Sequence, residues 1–393
     1  MKILLVGEYS NVHATLARAL RTLGHEVCVV SNGDFWKNYP RDIDVARPDG
    51  KWGGIRLMLR LLTLLPKMRG YDVVQLINPM FFELKAERLF FFYNYLRRHN
   101  RRVILGAFGM DYYWVHDCTY LKPLRYSDFN FGDTVRTDPC ATREQQDWMG
   151  TAKERLNRMI AADCDAIVTG LYEYHVCYEP HFPDKTHFIP FPIESEDTPS
   201  SIDSKDIPSS IDSKDIPSSI DSNAECHNLP QPAPLKLFIG ISKGRSEYKG
   251  TDIMLRAAED ICRQYPDKVQ LLKAEGLPFA DYEKMLLGAD VLLDQLYSYT
   301  PAMNALLAMS KGIVVVGGGE PEHYALLHET ELRPIVNVQP NYESVYHELQ
   351  QLVLHPERVP KLKKQSIKYI RRHHDSVKVA AEYLEVYGLS PAG

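Results

Sequence analysis

The chain has 393 residues, of which 45% are hydrophobic and 25% charged, and its formal net charge is −5. This composition is typical of a globular protein with two cores, and the negative charge argues against nucleic acid as a partner. The seven cysteines include no C-x-x-C pair and no metal-finger spacing, which indicates unpaired thiols in a reducing cytosol. No signal peptide precedes the first apolar run, and no run reaches the roughly 18 residues of a membrane span. We therefore expect a cytoplasmic protein.

The segment 1–194 alternates between short apolar runs and stretches with helical periodicity. Strands are predicted at 2–6, 27–31, 72–77, 102–105 and 166–169, with helices at 12–23 and 84–100 among those between them. This alternation predicts a Rossmann-like domain with a parallel sheet. The first loop has only Gly7 where the dinucleotide fingerprint needs three glycines, so an NAD-dependent enzyme is disfavoured.

Two basic stretches of this first domain resemble surfaces that lie on membranes. Residues 55–67 place Arg56 and Arg60 four positions apart, hence on one helical face, with Leu and Met around the rest. Residues 88–102 combine a Phe and Tyr cluster with flanking arginines. A basic amphipathic helix can lie in an anionic interface, so the sequence suggests a peripheral contact with the inner face of the membrane. The alternative is a core helix with a charged solvent face.

The loop after the fourth strand is the richest in polar and aromatic residues. It carries Asp111, Tyr112, Trp114 and His116 within a few positions. Aromatic faces pack on sugar rings and carboxylates bind their hydroxyls, so this loop is a candidate saccharide site. Ser10 and the imidazole of His13 follow the first strand and face the same predicted edge. The alternative interpretation is a packed aromatic loop.

A nine-residue repeat separates the two halves of the chain. The sequence PSSIDSKDI at 199–207 recurs at 208–216 and begins again at Pro217. Copies rich in Ser, Asp and Pro bury too little apolar surface to offset chain entropy, so we predict a disordered linker over 195–233. The similarity of the copies suggests a tandem duplication, and a role in recruiting a partner is the functional alternative.

The segment 234–372 predicts a second Rossmann-like domain with two notable loops. A strand at 235–241 runs into a loop that contains Gly244, Arg245 and Lys249 and leads into a helix. Two cations beside the exposed N–H groups of a helix start suit a diphosphate. Further on, a helix over 301–311 leads to a buried strand and a glycine-rich loop at 317–322, where the backbone can approach a ligand closely.

These two segments resemble the donor-binding domain of GT-B glycosyltransferases, most of all the retaining enzymes of family four. That family carries Gly-Arg followed by Lys-Gly, matched by Gly244-Arg245 and Lys249-Gly250. Its later Glu-Ala-Met-Ala-x-Gly-x-Pro-Val motif is similar to AMSKGIVV at 308–315. The resemblance implies that Arg245 and Lys249 contact the donor diphosphate and stabilise the leaving nucleotide. We treat both, together with His116, as candidate catalytic residues.

The chain departs from the family at Leu307, where the family has a glutamate that binds the ribose hydroxyls. Asn304, Glu320 and Glu322 are the candidates to replace it, and Asp294 lies near the earlier acidic position of the motif. The predicted donor-binding residues are Gly244, Arg245, Lys249, Asp294, Asn304, Gly318, Glu320 and Glu322. The predicted acceptor-binding residues are Ser10, His13, Asp111, Tyr112 and Trp114. An inactive paralogue is the other interpretation of the substitution.

The resemblance implies an α/β chain with the GT-B fold, in which two Rossmann-like domains turn their parallel sheets toward a central cleft. It implies a last helix, 373–389, that crosses back to the first domain. The implied activity is transfer of a hexose-type sugar, with retention, from a nucleotide-diphosphate donor to a saccharide or lipid-linked acceptor in surface polysaccharide or glycoconjugate synthesis.

No cofactor is expected besides the nucleotide-diphosphate sugar as co-substrate. No metal is expected either, because no Asp-x-Asp triplet lies at the end of a predicted strand. Two alternatives remain open at this point. One is a non-catalytic sugar- or nucleotide-binding partner of another transferase, and the other is a sugar-nucleotide epimerase with the GT-B fold.

Overall fold

The structure, a computed structural model, describes residues 1–194, 233–241, 244 and 246–388. The predicted linker over 195–233 lies outside the described residues except for Ala233. Arg245 lies outside them as well.

The first domain is organised around a parallel sheet. Its strands are β1 (Lys2–Val6), β2 (Glu26–Ser31), β3 (Ile43–Asp44), β4 (Val73–Leu76), β5 (Arg102–Ala107), β6 (Asn130–Phe131), β7 (Thr134–Val135), β8 (Ala166–Thr169) and β9 (Thr186–Phe188). Seven of them form the sheet in the order β3-β2-β1-β4-β5-β8-β9, with every neighbouring pair parallel. Strands β6 and β7 form a separate antiparallel hairpin.

Helices cover both faces of this sheet, as βαβ connections require. They are α1 (Val12–Thr22), α2 (Gly53–Leu64), α3 (Ala86–His99), α4 (Tyr112–His116), α5 (Pro139–Trp148), α6 (Ala152–Asp163) and α7 (Tyr172–Tyr178). Local sequence fixes several helix starts. The Asp138 carboxylate accepts from the backbone N–H groups of Cys140 and Ala141, and Pro139 occupies the first turn of α5.

The second domain repeats the arrangement on a smaller scale. Its strands are β10 (Leu235–Ile241), β11 (Val269–Glu275), β12 (Val291–Leu293), β13 (Val314–Gly317) and β14 (Val336–Asn337), in the parallel order β11-β10-β12-β13-β14. Its helices are α8 (Ser246–Lys249), α9 (Thr251–Gln264), α10 (Phe279–Leu287), α11 (Met303–Ser310), α12 (Pro321–Leu326), α13 (Tyr342–Leu354), α14 (Arg358–His373) and α15 (Ser376–Val386). The prediction of two parallel-sheet α/β domains is confirmed.

The chain crosses between the domains twice at neighbouring points. Ile193, at the end of the first domain, forms a backbone bridge with Asp375, which precedes α15. Helix α15 packs against α1, and its Tyr383 and the following Tyr387 are buried in an apolar cluster that includes residues of both domains. The last helix is therefore part of the core under the first sheet. None of the helices in the described ranges combines the length and apolar character that crossing a bilayer requires.

Candidate functional site

A cavity of about 260 Å³ lies between the two domains, at the carboxyl ends of the strands of both sheets. Parallel sheets bind their ligands at this edge. The first domain contributes side chains from the loops after β1, β5 and β8, among them Tyr9, Ser10, Met110, Trp114 and Glu173. The second domain contributes the end of α8 and the loop after β12, among them Lys249, Gln295, Ser298 and Met303.

Of the predicted donor-binding residues, Lys249 lines the interdomain cavity, whereas Asp294 and Asn304 do not line it and are hydrogen-bonded to each other in the second domain. The Tyr282 hydroxyl donates to Asn304 Oδ1 at 3.1 Å, and Asn304 Nδ2 donates to Asp294 Oδ1 at 3.1 Å. Burial raises the pKa of Asp294, and the nearby Lys249 ammonium and the Asn304 amide counteract that rise. Lys249 is thus held beside a carboxylate, with its own side chain lining the cavity.

Helix α9 begins directly behind Lys249. Its first cap residue, Gly250, has φ 70° and ψ 16°, and no side chain caps the helix start. A Cβ at this position would lie 2.6 Å from Leu296 Cβ, so both the backbone conformation and the packing require glycine. The uncapped N–H groups and Lys249 favour an anion at this end of the loop, whereas Asp252 in the first turn of α9 and Asp294 near Lys249 oppose one. Gly244 precedes them with φ 72°, and its carbonyl accepts from Cys140 Sγ at 3.2 Å.

Glu320 and Glu322 contact the first domain instead of lining the cavity. Glu320 is 3% exposed, and its Oε2 accepts from Arg125 Nη2 at 2.6 Å while its Oε1 accepts from the Tyr126 hydroxyl at 2.6 Å. Asn337 also donates to Glu320, and Arg125 pairs with Glu322 as well. The Glu320 carboxylate is saturated by protein partners, so the pair joins the two domains, and ribose binding by either stays a prediction.

Gly318 is required by packing between two loops of the second domain. A Cβ there would lie 2.0 Å from the Ser298 carbonyl oxygen, and one on Gly319 would lie 2.9 Å from Ile335 Cβ. The glycine run therefore lets the loop after β13 approach the loop after β12. It does not line the interdomain cavity, and a ligand contact by Gly318 stays a prediction.

Of the predicted acceptor residues, Ser10 and Trp114 line the interdomain cavity. Ser10 has φ 51°, its N–H donates to Asp34 Oδ2 at 2.8 Å, and its hydroxyl accepts from Lys37 Nζ at 3.2 Å. Trp114 is 3% exposed, and its indole Nε1 has no hydrogen-bond partner among the described residues.

His13 lies in the domain interior rather than in the cleft. Its Nδ1 lies 2.8 Å from the Gly7 carbonyl oxygen, and its Nε2 lies 3.1 Å from Nε2 of Gln75. Burial lowers the pKa of His13 to about 3, so the ring is neutral and donates to Gly7 while accepting from Gln75. Gln75 Oε1 in turn accepts from the Tyr387 hydroxyl at 2.6 Å. These contacts fix the first domain to the segment after α15.

Asp111 and Tyr112 also form hydrogen bonds within the first domain. Asp111 caps α4: its carboxylate accepts from the Trp114 N–H at 2.9 Å and from the Tyr178 hydroxyl at 2.8 Å. Burial raises the pKa of Asp111 to about 7. The Tyr112 N–H donates to Asn157 Oδ1 at 2.9 Å. An aspartate three positions before a helical N–H is a capping pattern, and that signal was available in the sequence.

His116 lies outside the residues that line the interdomain cavity. Its Nδ1 lies 2.7 Å from Asp117 Oδ1, and Asp117 Oδ2 accepts from His181 Nε2 at 2.9 Å. His116 therefore has a hydrogen-bond partner within its own domain, and its catalytic role stays a prediction. No group of three or more His, Cys, Asp or Glu side chains in the described ranges is placed to hold a metal ion.

Sequence reasoning missed Glu173, a first-domain residue whose side chain contacts the second domain. Its Oε1 accepts from the Ser298 hydroxyl at 2.8 Å and from the backbone N–H groups of Tyr299 and Thr300 at 2.6 and 3.0 Å. The only sequence signal was an acidic residue just after β8, between two tyrosines.

Sequence reasoning also missed Arg136, which lies in the segment between the β6–β7 hairpin and α5. Its guanidinium donates to the Glu247 carbonyl at 3.1 Å and to the Tyr248 carbonyl at 3.4 Å, and lies 4.3 Å from the Tyr297 ring centroid. The Tyr248 hydroxyl donates to Asp128 Oδ2 at 2.8 Å. This contact fixes α8, and with it Lys249, to the first domain.

A second cavity, of about 370 Å³, lies entirely in the first domain and shares Tyr9 and Met110 with the interdomain cavity. Its wall is aromatic and acidic, and includes Phe82, Glu144, Asp147 and Trp148. Glu8 borders it and is 2% exposed. The Glu8 carboxyl accepts from the N–H groups of Ala14 at 2.8 Å and His13 at 3.3 Å, and burial raises its pKa to about 8.

Neither a protein-family model nor a curated protein sequence matches this chain. Several solved structures do match its fold. Sucrose-phosphate synthase from Thermosynechococcus elongatus has a TM-score of 0.58 at 12% identity, over 98% of each chain. HepE from Anabaena, solved with UDP and glucose, has a TM-score of 0.54 at 12% identity, also over 98% of each chain.

A putative UDP-N-acetylglucosamine 2-epimerase from Listeria monocytogenes has a TM-score of 0.53 at 11% identity, over 98% of this chain and 95% of its own. At such identity the likeness shows the fold and does not select family four. This chain therefore has the GT-B fold, which its structural neighbours use both for glycosyl transfer and for epimerisation of sugar nucleotides.

Proposed function

We propose that this protein is a metal-independent glycosyltransferase that uses a nucleotide-diphosphate sugar. The observation that carries the proposal is the pair of cavities that share Tyr9 and Met110. A transferase must hold a donor and an acceptor side by side, whereas an epimerase needs room for a single sugar nucleotide. The fold likeness to HepE with UDP and glucose supports a sugar nucleotide as the donor class.

The donor diphosphate would bind against Lys249 and the uncapped start of α9. When the bond between the sugar C1 and the diphosphate oxygen breaks, the electron pair goes to that oxygen. A preorganised ammonium and helix N–H groups stabilise the charge that develops there. Arg245 is part of the proposal through the sequence resemblance, as is retention of the anomeric configuration.

The acceptor would bind in the first-domain cavity. Trp148 and Phe82 offer faces on which a sugar ring can pack, and Glu144 and Asp147 offer hydrogen-bond acceptors for its hydroxyls. The acceptor hydroxyl attacks C1 and gives its proton to the departing phosphate or to water. We propose an uncharged saccharide for this cavity, although Lys153 also lines it and pairs with Asp147, so its wall carries both signs of charge.

A lipid-linked acceptor is the finer part of the proposal. Helix α2 exposes apolar side chains, with Ile55 44% and Leu59 59% exposed, next to Arg56 and Arg60 on its solvent side. The loop before α2 is joined to the acceptor cavity, because the Arg47 N–H donates to Glu83 Oε2 at 3.1 Å and Glu83 lines that cavity. An apolar and basic helix beside the cavity would hold it against an anionic membrane.

Flotation with phosphatidylglycerol vesicles tests the membrane contact. We expect the wild type to float with the vesicles, and the double variant Ile55→Ser/Leu59→Ser to stay in solution. Leu277→Ser, which changes an exposed leucine of the second domain, is the matched control. Equal flotation of all three proteins would remove the lipid-linked acceptor from the proposal.

The transferase itself is tested by thermal shift with UDP, GDP, ADP and CMP, with and without EDTA, followed by product analysis. We expect one diphosphate to raise Tm regardless of EDTA. NMR of the matching sugar conjugate with an acceptor then separates the alternatives. A new glycosidic linkage supports transfer, a second sugar nucleotide with inverted C2 indicates an epimerase, and binding without turnover indicates a binding partner. No shift with any nucleotide would sink the proposal.

A further inference from the structure

We infer that Glu173 and Trp114 bind hydroxyl groups of the donor sugar from the first-domain wall of the interdomain cavity. The inference rests on the proposed function and extends it from the diphosphate to the sugar. It assigns sugar recognition to two residues on the opposite domain from Lys249, and it names an uncharged, hydroxylated sugar as the donor class.

The two carboxylate oxygens of Glu173 have different hydrogen-bond environments. The side chain is 4% exposed and lines the interdomain cavity. Its Oε1 is saturated by the three donors of the loop after β12, whereas its Oε2 is buried and has no partner among the described residues. A buried carboxylate oxygen without a hydrogen bond is destabilising, so a ligand that donates to it is favoured.

The second relevant group in the cavity wall is the indole N–H of Trp114. The ring lines the same cavity, and Phe129 and Tyr174 hold it by edge contacts at centroid distances of 6.2 and 5.3 Å. Its Nε1 is also buried without a partner among the described residues. Two side chains that line the cavity thus have one buried acceptor and one buried donor without a partner among the described residues. A hydroxyl group both donates and accepts, so the hydroxyls of a sugar ring match this pair.

The distribution of charge across the cavity orients the ligand. Lys249 stands on the second-domain wall, where a diphosphate is favoured. Two first-domain carboxylates, Asp128 and Glu173, line the cavity and repel phosphate, and Glu173 favours a neutral group that donates hydrogen bonds. The sugar therefore points toward the first domain. For the same reason, a uronic acid, which carries a carboxylate in place of the terminal CH₂OH, is disfavoured.

Two conservative variants isolate the proposed contacts. In Glu173→Gln the amide oxygen still accepts from Ser298, Tyr299 and Thr300, while an NH₂ group replaces the unpaired Oε2. The loop contact is kept and only the atom proposed to meet the ligand changes. Trp114→Phe keeps an aromatic ring against Tyr174 and removes the indole N–H. Glu179→Gln, at an exposed position just after α7, is the matched control.

The experiment is calorimetric binding of UDP, GDP and ADP, their glucose conjugates and their glucuronate conjugates. For the base that binds, we expect Glu173→Gln to lower the affinity ratio of glucose conjugate to bare diphosphate by about tenfold, since a charge-assisted hydrogen bond is lost. Trp114→Phe should lower it about threefold to tenfold. The bare diphosphate should bind all four proteins equally. Glu173→Gln should also raise the relative affinity of the glucuronate conjugate, which a purely structural role would not do.

The two proposals fail in different ways. If bare diphosphates bind but the conjugate ratio is the same in wild type, Glu173→Gln and Trp114→Phe, the inference is overturned and the proposed function survives. If neither diphosphates nor conjugates bind the wild type, the proposed function fails and the inference fails with it. A weaker diphosphate affinity in Glu173→Gln, with an unchanged ratio, would also overturn the inference, because Glu173 would then act only on the loop.

Discussion

The two domains use the same backbone arrangement at the cleft and give it opposite electrostatic character. In the first domain, β1 leads through a short loop into α1, and Glu8 places its carboxyl on the N–H groups of His13 and Ala14. In the second domain, β10 leads to α9, whose start after Gly250 has no side-chain cap and follows Lys249. At α1 an acidic side chain of the protein accepts from the first N–H groups of the helix, while at α9 no side chain does so.

This difference teaches which half of a GT-B cleft accepts an anion. A helix start is a ready site for phosphate only while its N–H groups are unpaired and no carboxylate stands beside it. Glu8 occupies these N–H groups at α1, and the raised pKa of its buried carboxyl keeps that helix start close to neutral. At α9 the N–H groups have no side-chain cap, and Lys249 adds a positive charge that Asp252 and Asp294 partly offset. The two helix starts therefore differ in how their N–H groups are satisfied.

Removing the Lys249 ammonium should have the largest effect on the difference between the helix starts of α1 and α9. In Lys249→Ala, α9 keeps its uncapped start but loses the ammonium beside it. We expect diphosphate affinity and turnover to fall by about 100-fold or more, as for the loss of one preorganised electrostatic donor. Calorimetry and initial rates measure both. Lys268→Ala, at an exposed position before β11 on the far edge of the sheet, should change neither. Equal losses in the two variants would assign the effect to net charge.

Neutralising Glu8 should change how the stability of the protein depends on pH. The Glu8 carboxyl loses its proton near its ordinary pKa of 4.5 in the unfolded chain, but at about 8 in the folded protein, because burial raises the pKa. Between these values the folded state binds more protons, so stability falls as pH rises. Wild type should therefore lose about 2 kcal/mol more than Glu8→Gln between about pH 5.5 and 7.5.

Urea unfolding at the two pH values measures this difference, with Glu26→Gln, an exposed acidic position of the same domain, as the control. We expect the control to follow the wild type. Parallel pH profiles for wild type and Glu8→Gln would mean that Glu8 is ionised at the start of α1 throughout this range.

Neutralising Asp294 should have the smallest effect of these changes, and it should increase the difference between the helix starts of α1 and α9. Asn304 Nδ2 donates to Asp294 Oδ1 at 3.1 Å, and the amide oxygen of an asparagine can accept the same bond. In Asp294→Asn the ammonium of Lys249 loses its competing carboxylate. Diphosphate affinity should rise about threefold, measured by calorimetry at low salt. Asp281→Asn, on the exposed side of α10, should leave it unchanged. A fall in affinity would instead show that Asp294 orients Lys249.

The fold was predictable because parallel strands buried on both faces appear as short apolar runs, and most predicted strands lie within two residues of those observed. Lys249, Asp294 and Asn304 were predictable as neighbours because they follow adjacent strands of one sheet. Glu173 and Arg136 were not, since each meets groups more than 100 positions away across the cleft.

The sequence does not separate acceptor-site residues from residues that serve their own domain, and the acceptor site stays a prediction. A polar residue after a strand can face a ligand, or it can satisfy the backbone of its own domain, and residue type alone does not separate the two. Asp111 caps a helix and His13 joins Gly7 to Gln75, so both are consumed by internal hydrogen bonds. Ser10 and Trp114 occupy the same loops and line the interdomain cavity, which we propose to hold the donor. Only the packing in the folded structure distinguishes Asp111 and His13 from Ser10 and Trp114.

The packing of α15 beneath the first sheet has a consequence for synthesis. Tyr383 and Tyr387 complete the apolar cluster around α1, and the Tyr387 hydroxyl completes the chain of hydrogen bonds through Gln75 to His13. Domains generally fold from the N-terminus as the ribosome releases them. Here the first domain to emerge lacks a piece of its own interior until residue 387 has left the exit tunnel. Until the last helix is released, the apolar face of α1 in the nascent chain is exposed to water or bound by a chaperone.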